Sequence, residues 1–245
     1  MKSQKISKDA FNKYKVAVCT LFRSCVKDVI HSFKQREEWN NHHNVEIVHI
    51  CLEGDSVDDT YEVLDSYKNK YNIRLIKHDT GKQHYPSVAE PERLKNLGYL
   101  SNLALSKAME ESPTHILWLD SDVTLPKHYV VKLLAHNRDV VAPMFYFENS
   151  IYFRDTWGYR VKEEGFRNRY PYCKNYNPKS LFEVDSVGLP LISSKVIKAG
   201  AKFGDEEIVD LCRSIRSLGY KIYVDPLVAV THPRQGTIVP ANHER

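Results

Sequence analysis

The stretch "THILWLDSDV", residues 114–123, decides how the rest of the chain is read. Ile116, Leu117, Trp118 and Leu119 run without interruption into Asp120 and Asp122, two carboxylates one residue apart. A short continuous apolar run is the mark of a strand buried on both faces. Like charges held at its end repel each other and resist desolvation, so the arrangement is costly unless a cation neutralises it. A D-x-D alone is a common pattern, and it also reads as a strand end turning into solvent with Asp122 capping the next segment. Position favours the other reading. The carboxyl edge of an open α/β sheet is where ligands bind, and a hard divalent cation shared with phosphates suits two carboxylates there.

Outward from that strand, β-rich runs alternate with helical ones. "YKVAVCTLF" (14–22), "VEIVHICLE" (45–53), "IRLIKH" (73–78) and "DVVAPMFYF" (139–147) read as strands. Residues 25–39 predict a helix with Val26, Val29, Ile30 and Phe33 on its apolar face. A second helix follows Ser56, a plausible cap, with Val63, Leu64, Tyr67 and Tyr71 as its stripe. Pro91 opens a long third helix, in which Leu94, Leu97, Leu100, Ala104, Leu105 and Ala108 keep the helical period. This alternation predicts an α/β fold, a Rossmann-like and mostly parallel central sheet with helices on both faces. Further on come a short helix "SKVIKAG", a helix over "DEEIVDLCRSIRSLG" closed by Gly219, and two short strands around Pro226.

One domain over residues 14–233 is the economical organisation, its character changing after residue 145. Residues 1–13 read as a flexible N-terminus and 234–245 as a tail. The 245 residues carry 35 Lys and Arg against 31 Asp and Glu, a balance too even for a general polyanion binder. No apolar run approaches the ~18 residues of a membrane span. The five cysteines form no CxxC pair, so a reducing, cytoplasmic setting is expected rather than a disulfide scaffold.

At the level of whole motifs the chain resembles nucleotide-sugar-dependent glycosyltransferases of the A-type (GT-A) fold. "HILWLDSDV" is similar to their D-x-D strand, and "CLEGDSVDDT" (51–60) to the acidic turn after their second strand. "RLKNLGYLSNLALSKAM" (93–109) resembles the helix before the metal strand, and "VDSVGLPLIS" (184–193) the acceptor-side segment. "FGDEEIVDLCRSIRSLGYKIYVDP" (203–226) and "VAVTH" (228–232) resemble the acidic helix and a last strand ending in a metal-binding histidine. The tail is similar to that of fungal mannan-polymerase mannosyltransferases and viral or bacterial relatives. Two departures stand out: Gly188-Leu189-Pro190 replaces paired glycines, and Glu53-Gly54-Asp55 replaces Asp-Asp-Gly.

The resemblance implies roles. Asp122 would bind the metal directly, Asp120 through water or by holding the ribose, and His232 would complete the site. An imidazole among oxygen ligands favours Mn2+ over Mg2+. Thr20, Phe22 and Arg23 would line the nucleotide pocket. Glu53 and Asp79 would accept hydrogen bonds from base or ribose, or else are loop carboxylates. Arg93 and Asn102 would meet diphosphate or ribose, or else lie on a solvated helix face. In the acidic helix start, Glu206, with Asp205 next, would act as general base, and Glu207 would face the acceptor; carboxylates are also welcome there for dipole reasons alone. Gly188 would stand on the acceptor side. Trp157 is the candidate sugar platform within residues 153–179, where seven aromatics and seven basic residues crowd together. That stretch reads as an acceptor loop, a tyrosine-rich surface insertion or a single-strand nucleic-acid binder.

The expected partners are a UDP- or GDP-sugar donor and a carbohydrate acceptor, with no nucleic acid. A nucleotidyltransferase or pyrophosphorylase would also pair such a sheet with a carboxylate-bound metal, but "VAVCTLFRSC" lacks a glycine-rich phosphate loop. A non-catalytic glycan- or nucleic-acid-binding protein gives no reason for the D-x-D strand, the acidic helix start and the terminal histidine to coexist.

Overall fold

The computed structural model describes residues 14–41, 44–82, 85, 90–148 and 180–233. Its centre is one eight-stranded sheet. β1 (Tyr14–Phe22), β2 (Val45–Glu53), β3 (Ile73–Lys77) and β4 (His115–Trp118) make a parallel set. β5 (Val140–Phe147), β6 (Phe182–Val184), β7 (Leu191–Ser193) and β8 (Ile222–His232) complete it in the order β3-β2-β1-β4-β7-β5-β8-β6. β7 runs antiparallel to both β4 and β5, and β8 runs parallel to β5. It follows that β8 ends at the same edge as β1, β2 and β4, which brings His232 to the edge where Asp120 and Asp122 stand. The expectation of a mostly parallel sheet therefore holds for its first half, while the second half is mixed.

α1 (Val26–Arg36) continues into a 3-10 turn, Glu37–Asn41. Its buried stripe is Val29, Ser32, Phe33 and Arg36. Ile30, expected on the apolar face, is exposed, because the helix is rotated to bring Arg36 inward instead. The Arg36 guanidinium stacks over Phe33 and Trp39, donates to Thr20 Oγ1 at 3.0 Å, and lies 3.4 Å from His49 Nδ1. Cation–π contacts and hydrogen bonds offset the desolvation of this fully buried cation. Burial still pushes its pKa down to about 10 and holds the His49 ring well below the usual histidine range.

α2 (Thr60–Tyr67) begins three residues later than expected. Ser56 is not its cap; its Oγ accepts from the Ser24 amide, and the Asp58 carboxylate takes the Thr60 amide instead. α3 (Pro91–Glu110) starts at Pro91 as expected and buries Leu94, Ala104, Leu105 and Ala108. α4 (Tyr129–Ala135) is a helix that the sequence pattern does not predict. α5 (Ser194–Lys198) is the short helix read from "SKVIKAG", and α6 (Ile208–Ser217) follows it. The two short strands expected around Pro226 are a single strand. β8 passes Pro226 by a register shift, Asp225 pairing with Pro143 and Ala229 with Met144, so the proline sits in a bulge rather than in the ladder.

A large core joins both halves of the sheet, and a smaller cluster of Phe22, Val29, Phe33, Cys51, Leu64, Tyr71 and Ile73 packs α1 and α2 on one face. Cys19 and Cys51 are buried free thiols, and Cys212 is buried with its Sγ 3.7 Å from the Val187 carbonyl. Among the described residues no helix is long and apolar enough to cross a membrane.

Candidate active site

β4 delivers the D-x-D segment to the carboxyl edge beside β1, where the strand order reverses and open sheets leave a crevice. Asp120, Asp122 and His232 meet there, each half-buried and each offering a ligand atom within 4.8 Å of the others. His232 Nδ1 lies 2.8 Å from the Pro233 carbonyl, which can only accept, so Nδ1 carries a proton and donates it. Its Nε2 then faces Asp122 Oδ1 at 3.4 Å. A carboxylate oxygen and an imidazole lone pair both accept hydrogen bonds, so a cation is needed between them, a metal ion or a proton. A backbone carbonyl fixing the far nitrogen is how metal-ligating histidines are commonly oriented. Two carboxylate oxygens and one imidazole nitrogen suit manganese or magnesium, the nitrogen favouring manganese.

The surroundings are charged. Asp28, in the first turn of α1, has its carboxyl pushed up by burial and by the nearby Asp122 charge, and partly offset by His31 and His232. The Cys25 thiol, pushed up to about 11 chiefly by burial and in contact with Ser121, stays protonated at neutral pH. The Tyr129 hydroxyl is fully buried, lies within the field of Asp120, and donates to the Leu189 carbonyl at 3.5 Å. Leu189 is itself held at φ +48°. That left-handed backbone costs a branched residue about 1–2 kcal/mol and stands where the sequence departs from paired glycines. Gly188 is beside it, half-buried.

The residues expected around the nucleotide separate into two groups. Thr20 and Phe22 are core: Thr20 accepts from Arg36, and Phe22 packs in the smaller cluster, so neither forms a pocket wall. Glu53 lies at the tip of β2, 1% exposed, with Oε2 buried and unpartnered among the described residues. An acceptor oxygen left without a donor costs ~1–3 kcal/mol, which makes Glu53 a ready partner for a ligand N–H or O–H. Arg23 donates to the Lys82 carbonyl and retains a buried Nε without a partner among the described residues. Asp79 is committed to the loop, its Oδ1 accepting the Asp55 amide. Asp55 answers with its own carboxylate, which accepts from Thr80 N, Thr80 Oγ1 and Gly81 N and is held below the usual range by those bonds. Gly54 belongs to the same junction, since a Cβ there would lie 2.0 Å from the His78 carbonyl oxygen. Sequence reasoning misses Asp55, although an aspartate after a glycine in a strand-end turn is a familiar signal.

Asn102 is engaged within the protein. Its amide makes a pair of bonds to the Phe203 backbone, 3.0 Å each way. Arg93 is half-buried in the first turn of the same helix. The clasp at Asn102 holds the acidic turn that precedes α6. Asp205, Glu206 and Glu207 are not helical, contrary to expectation. Glu207 stands at the N-cap with φ +48° and bridges back to Gly204. Asp205 and Glu206 are exposed; the Glu206 carboxylate pairs with Arg213 at 2.9 Å, and its amide donates to Asp210. Trp157, with the whole stretch 153–179, lies outside the described residues, as do residues 1–13 and 234–245.

The Anp1 family model matches residues 26–161, more than half of the chain. No curated protein matches it. Solved structures share the fold. The S. aureus TarS 1-349 complex with UDP-GlcNAc superposes over 91% of this chain and 59% of its own, with a TM-score of 0.58 and 15% identity. The TarS complex with UDP gives 0.59 over 90% of this chain and 61% of its own, also at 15% identity. GalNAc-T7 with UDP, GalNAc and Mn2+ gives 0.58 over 92% of this chain and 45% of its own, at 13% identity. The chain thus spans about three-fifths of the TarS chains and under half of GalNAc-T7.

Proposed function

Because the chain belongs to the Anp1 family of glycosyltransferases and has the GT-A fold, we propose that it moves a sugar from a nucleoside-diphosphate sugar, UDP- or GDP-linked, to a carbohydrate acceptor, with a divalent cation at Asp120, Asp122 and His232. The observation that carries this reading is the cluster at the sheet edge, where Asp120, Asp122 and His232 offer ligand atoms within 4.8 Å of one another and His232 Nε2 faces Asp122 Oδ1 at 3.4 Å. When bound, manganese, or magnesium in second place, supplies charge stabilisation for the departing diphosphate.

The chain's own residues do the rest. Asp122 and His232 fix the place of the diphosphate, and Asp120 holds the ribose hydroxyls or a metal-bound water. Glu53 offers its unpartnered oxygen to a donor on the base or ribose, and Arg23 and Arg93 supply positive charge on the phosphate side. The acidic turn, with Glu206 first, Asp205 next and Glu207 beside them, takes the proton of the attacking acceptor hydroxyl or orients it. Gly188 and Trp157 stand on the acceptor side. Residues 14–145 form the nucleotide-binding half of a single domain and 146–233 the acceptor half. Buried free thiols support a reducing, cytoplasmic setting.

A thermal-shift panel of UDP, GDP, CDP and dTDP, each with and without manganese, tests the reading. A ligand at a hundred times its dissociation constant stabilises the fold by ~2.7 kcal/mol, or roughly 5–10 °C in a chain of this size. One diphosphate raising the midpoint only with manganese is expected and names the donor base. No shift with any of the four removes the donor site.

A further inference from the structure

We infer that Gln35 is a positioning residue for the Asp122–His232 pair, an inference that rests on the metal-binding reading above. Gln35 lies half-buried on α1, outside the stretches 51–60, 93–109, 114–123, 184–193 and 203–232 that carry the motif resemblance. Its amide spans the loop that follows Asp122: Nε2 donates to the Val123 carbonyl at 3.0 Å, and Oε1 accepts from the Leu125 amide at 2.6 Å. One side chain thus satisfies a carbonyl and an amide two residues apart, as the edge of a neighbouring strand would.

The clasp is not alone on that helix face. One turn earlier, His31 Nε2 lies 3.2 Å from Thr124 Oγ1. One turn later, Glu38 Oε1 accepts the amide of His128 at 2.6 Å, and His128 is itself held at φ +59°. Residues 31, 35 and 38 share one side of the helical run, so α1 and its 3-10 extension grip residues 123–128 at three points.

The opposite side of the same loop is bound to β8. Thr124 and Thr231 exchange both backbone bonds, at 2.8 and 3.0 Å. Asp122 precedes the segment held by Gln35, and His232 follows the residue held by Thr124. Their 3.4 Å approach is therefore set by a three-layer stack of α1, loop and β8. Gln35 is the only member of that stack whose side chain holds both a donor and an acceptor of the loop among the described residues. Removing it leaves the α1 side of the loop held, among the described residues, only at Thr124 and His128, with Val123 O and Leu125 N, the groups next to Asp122, seeking other partners. The side chain touches neither metal nor substrate.

Outer partners that orient metal ligands change metal affinity by about 10- to 100-fold when removed. Gln35 acts through backbone rather than on the ligand atom, so the lower end, about tenfold, is expected. The test titrates Mn2+ into the purified chain and follows free and bound manganese by electron paramagnetic resonance, without nucleotide. Gln35→Met keeps length and removes both bonds; Gln35→Glu keeps the acceptor for Leu125 and sets an oxygen against Val123 O. Leu64→Ala, in the smaller core cluster away from this loop, controls for lost stability. Both Gln35 variants should bind manganese about tenfold more weakly, with a changed bound-manganese line shape, while Leu64→Ala binds as wild type does. Wild-type affinity in both Gln35 variants overturns the positioning role alone. Equal weakening in Leu64→Ala also overturns it, by making the effect one of stability. Failure of the wild type to bind manganese overturns the metal reading, and the positioning role with it.

Discussion

Replacing Gly98 with alanine should destabilise the protein, against the ordinary trend for a helix interior. Gly98 sits mid-way along α3, where alanine is normally worth about 1 kcal/mol over glycine. Here a Cβ would fall 2.0 Å from the Gly204 carbonyl oxygen and 3.1 Å from its carbon. Both are backbone atoms and cannot swing aside as a long side chain would. Restoring even a 3.0 Å contact requires α3 and the Gly204 turn to separate by about 1 Å. The turn cannot yield easily on its far side, because Gly204 is packed against the Asp210 side chain and the Asn102 amide holds Phe203 at 3.0 Å. Overpacking of this kind costs ~1–3 kcal/mol. Because the clashing atoms are backbone, the upper end applies, and after the ~1 kcal/mol helix gain the net expectation is a loss of about 2 kcal/mol, roughly 4–8 °C in melting temperature. If the acidic turn supplies the proposed base, the same displacement also shifts Asp205, Glu206 and Glu207, and about 1 Å of misplacement can lower turnover roughly 100-fold. Urea unfolding gives the first quantity and sugar transfer at saturating donor gives the second, while manganese affinity should stay at the wild-type level. A Gly98→Ala protein as stable as wild type or more so would refute the reasoning, since it would mean that the helix and the turn are not in backbone contact.

Other perturbations have equally definite outcomes. Leu64→Ala should cost ~2–5 kcal/mol, because Leu64 is fully buried in the cluster joining α1 and α2; urea unfolding measures it. His49, held well below the usual histidine range by burial and by Arg36, stays neutral in the fold while the unfolded chain takes up a proton below pH 6.5. Stability from this group is therefore full above pH 6.5 and falls as the solution is acidified, by up to about 1.4 kcal/mol per pH unit. In His49→Gln, unfolding at pH 7.5, 6.5 and 5.5 should show a flatter slope; His115, also depressed by burial, keeps it from vanishing. Asp55→Ala should unlace the β2 and β3 loops, with a loss of ~1–3 kcal/mol and weaker nucleotide binding by calorimetry.

How much of the fold and the site is legible in the sequence depends on whether a feature is periodic. β1, β2 and β4 announce themselves by short apolar runs buried on both faces, such as Val16–Cys19 and Ile116–Leu119, and α3 because Pro91 and a regular leucine stripe frame it. Asp122 and His232, 110 residues apart, can be paired only through family resemblance; the mixed strand order that joins them is not written in either segment. The apolar rule rotates α1 wrongly because a buried arginine contradicts it, and only the rings of Phe33 and Trp39 make Arg36 tolerable inside. Pro226 suggests a break in β8, but a bulge accommodates it. Asn102 reads as a ligand only through the resemblance of residues 93–109 to a family helix. Its use as a clamp on Phe203 depends on a turn 101 residues away. Short α4 has too few residues for its period to stand out.

The most direct test of the central claim is the coupling between metal and nucleotide, measured by titration calorimetry around a closed cycle. If Asp120, Asp122 and His232 hold a cation that the diphosphate shares, manganese tightens diphosphate binding and the diphosphate tightens manganese binding by the same factor. That factor should exceed tenfold in the wild type and fall to one in Asp122→Asn. Diphosphate affinity that is unchanged by manganese, or coupling that survives in Asp122→Asn, would contradict the account.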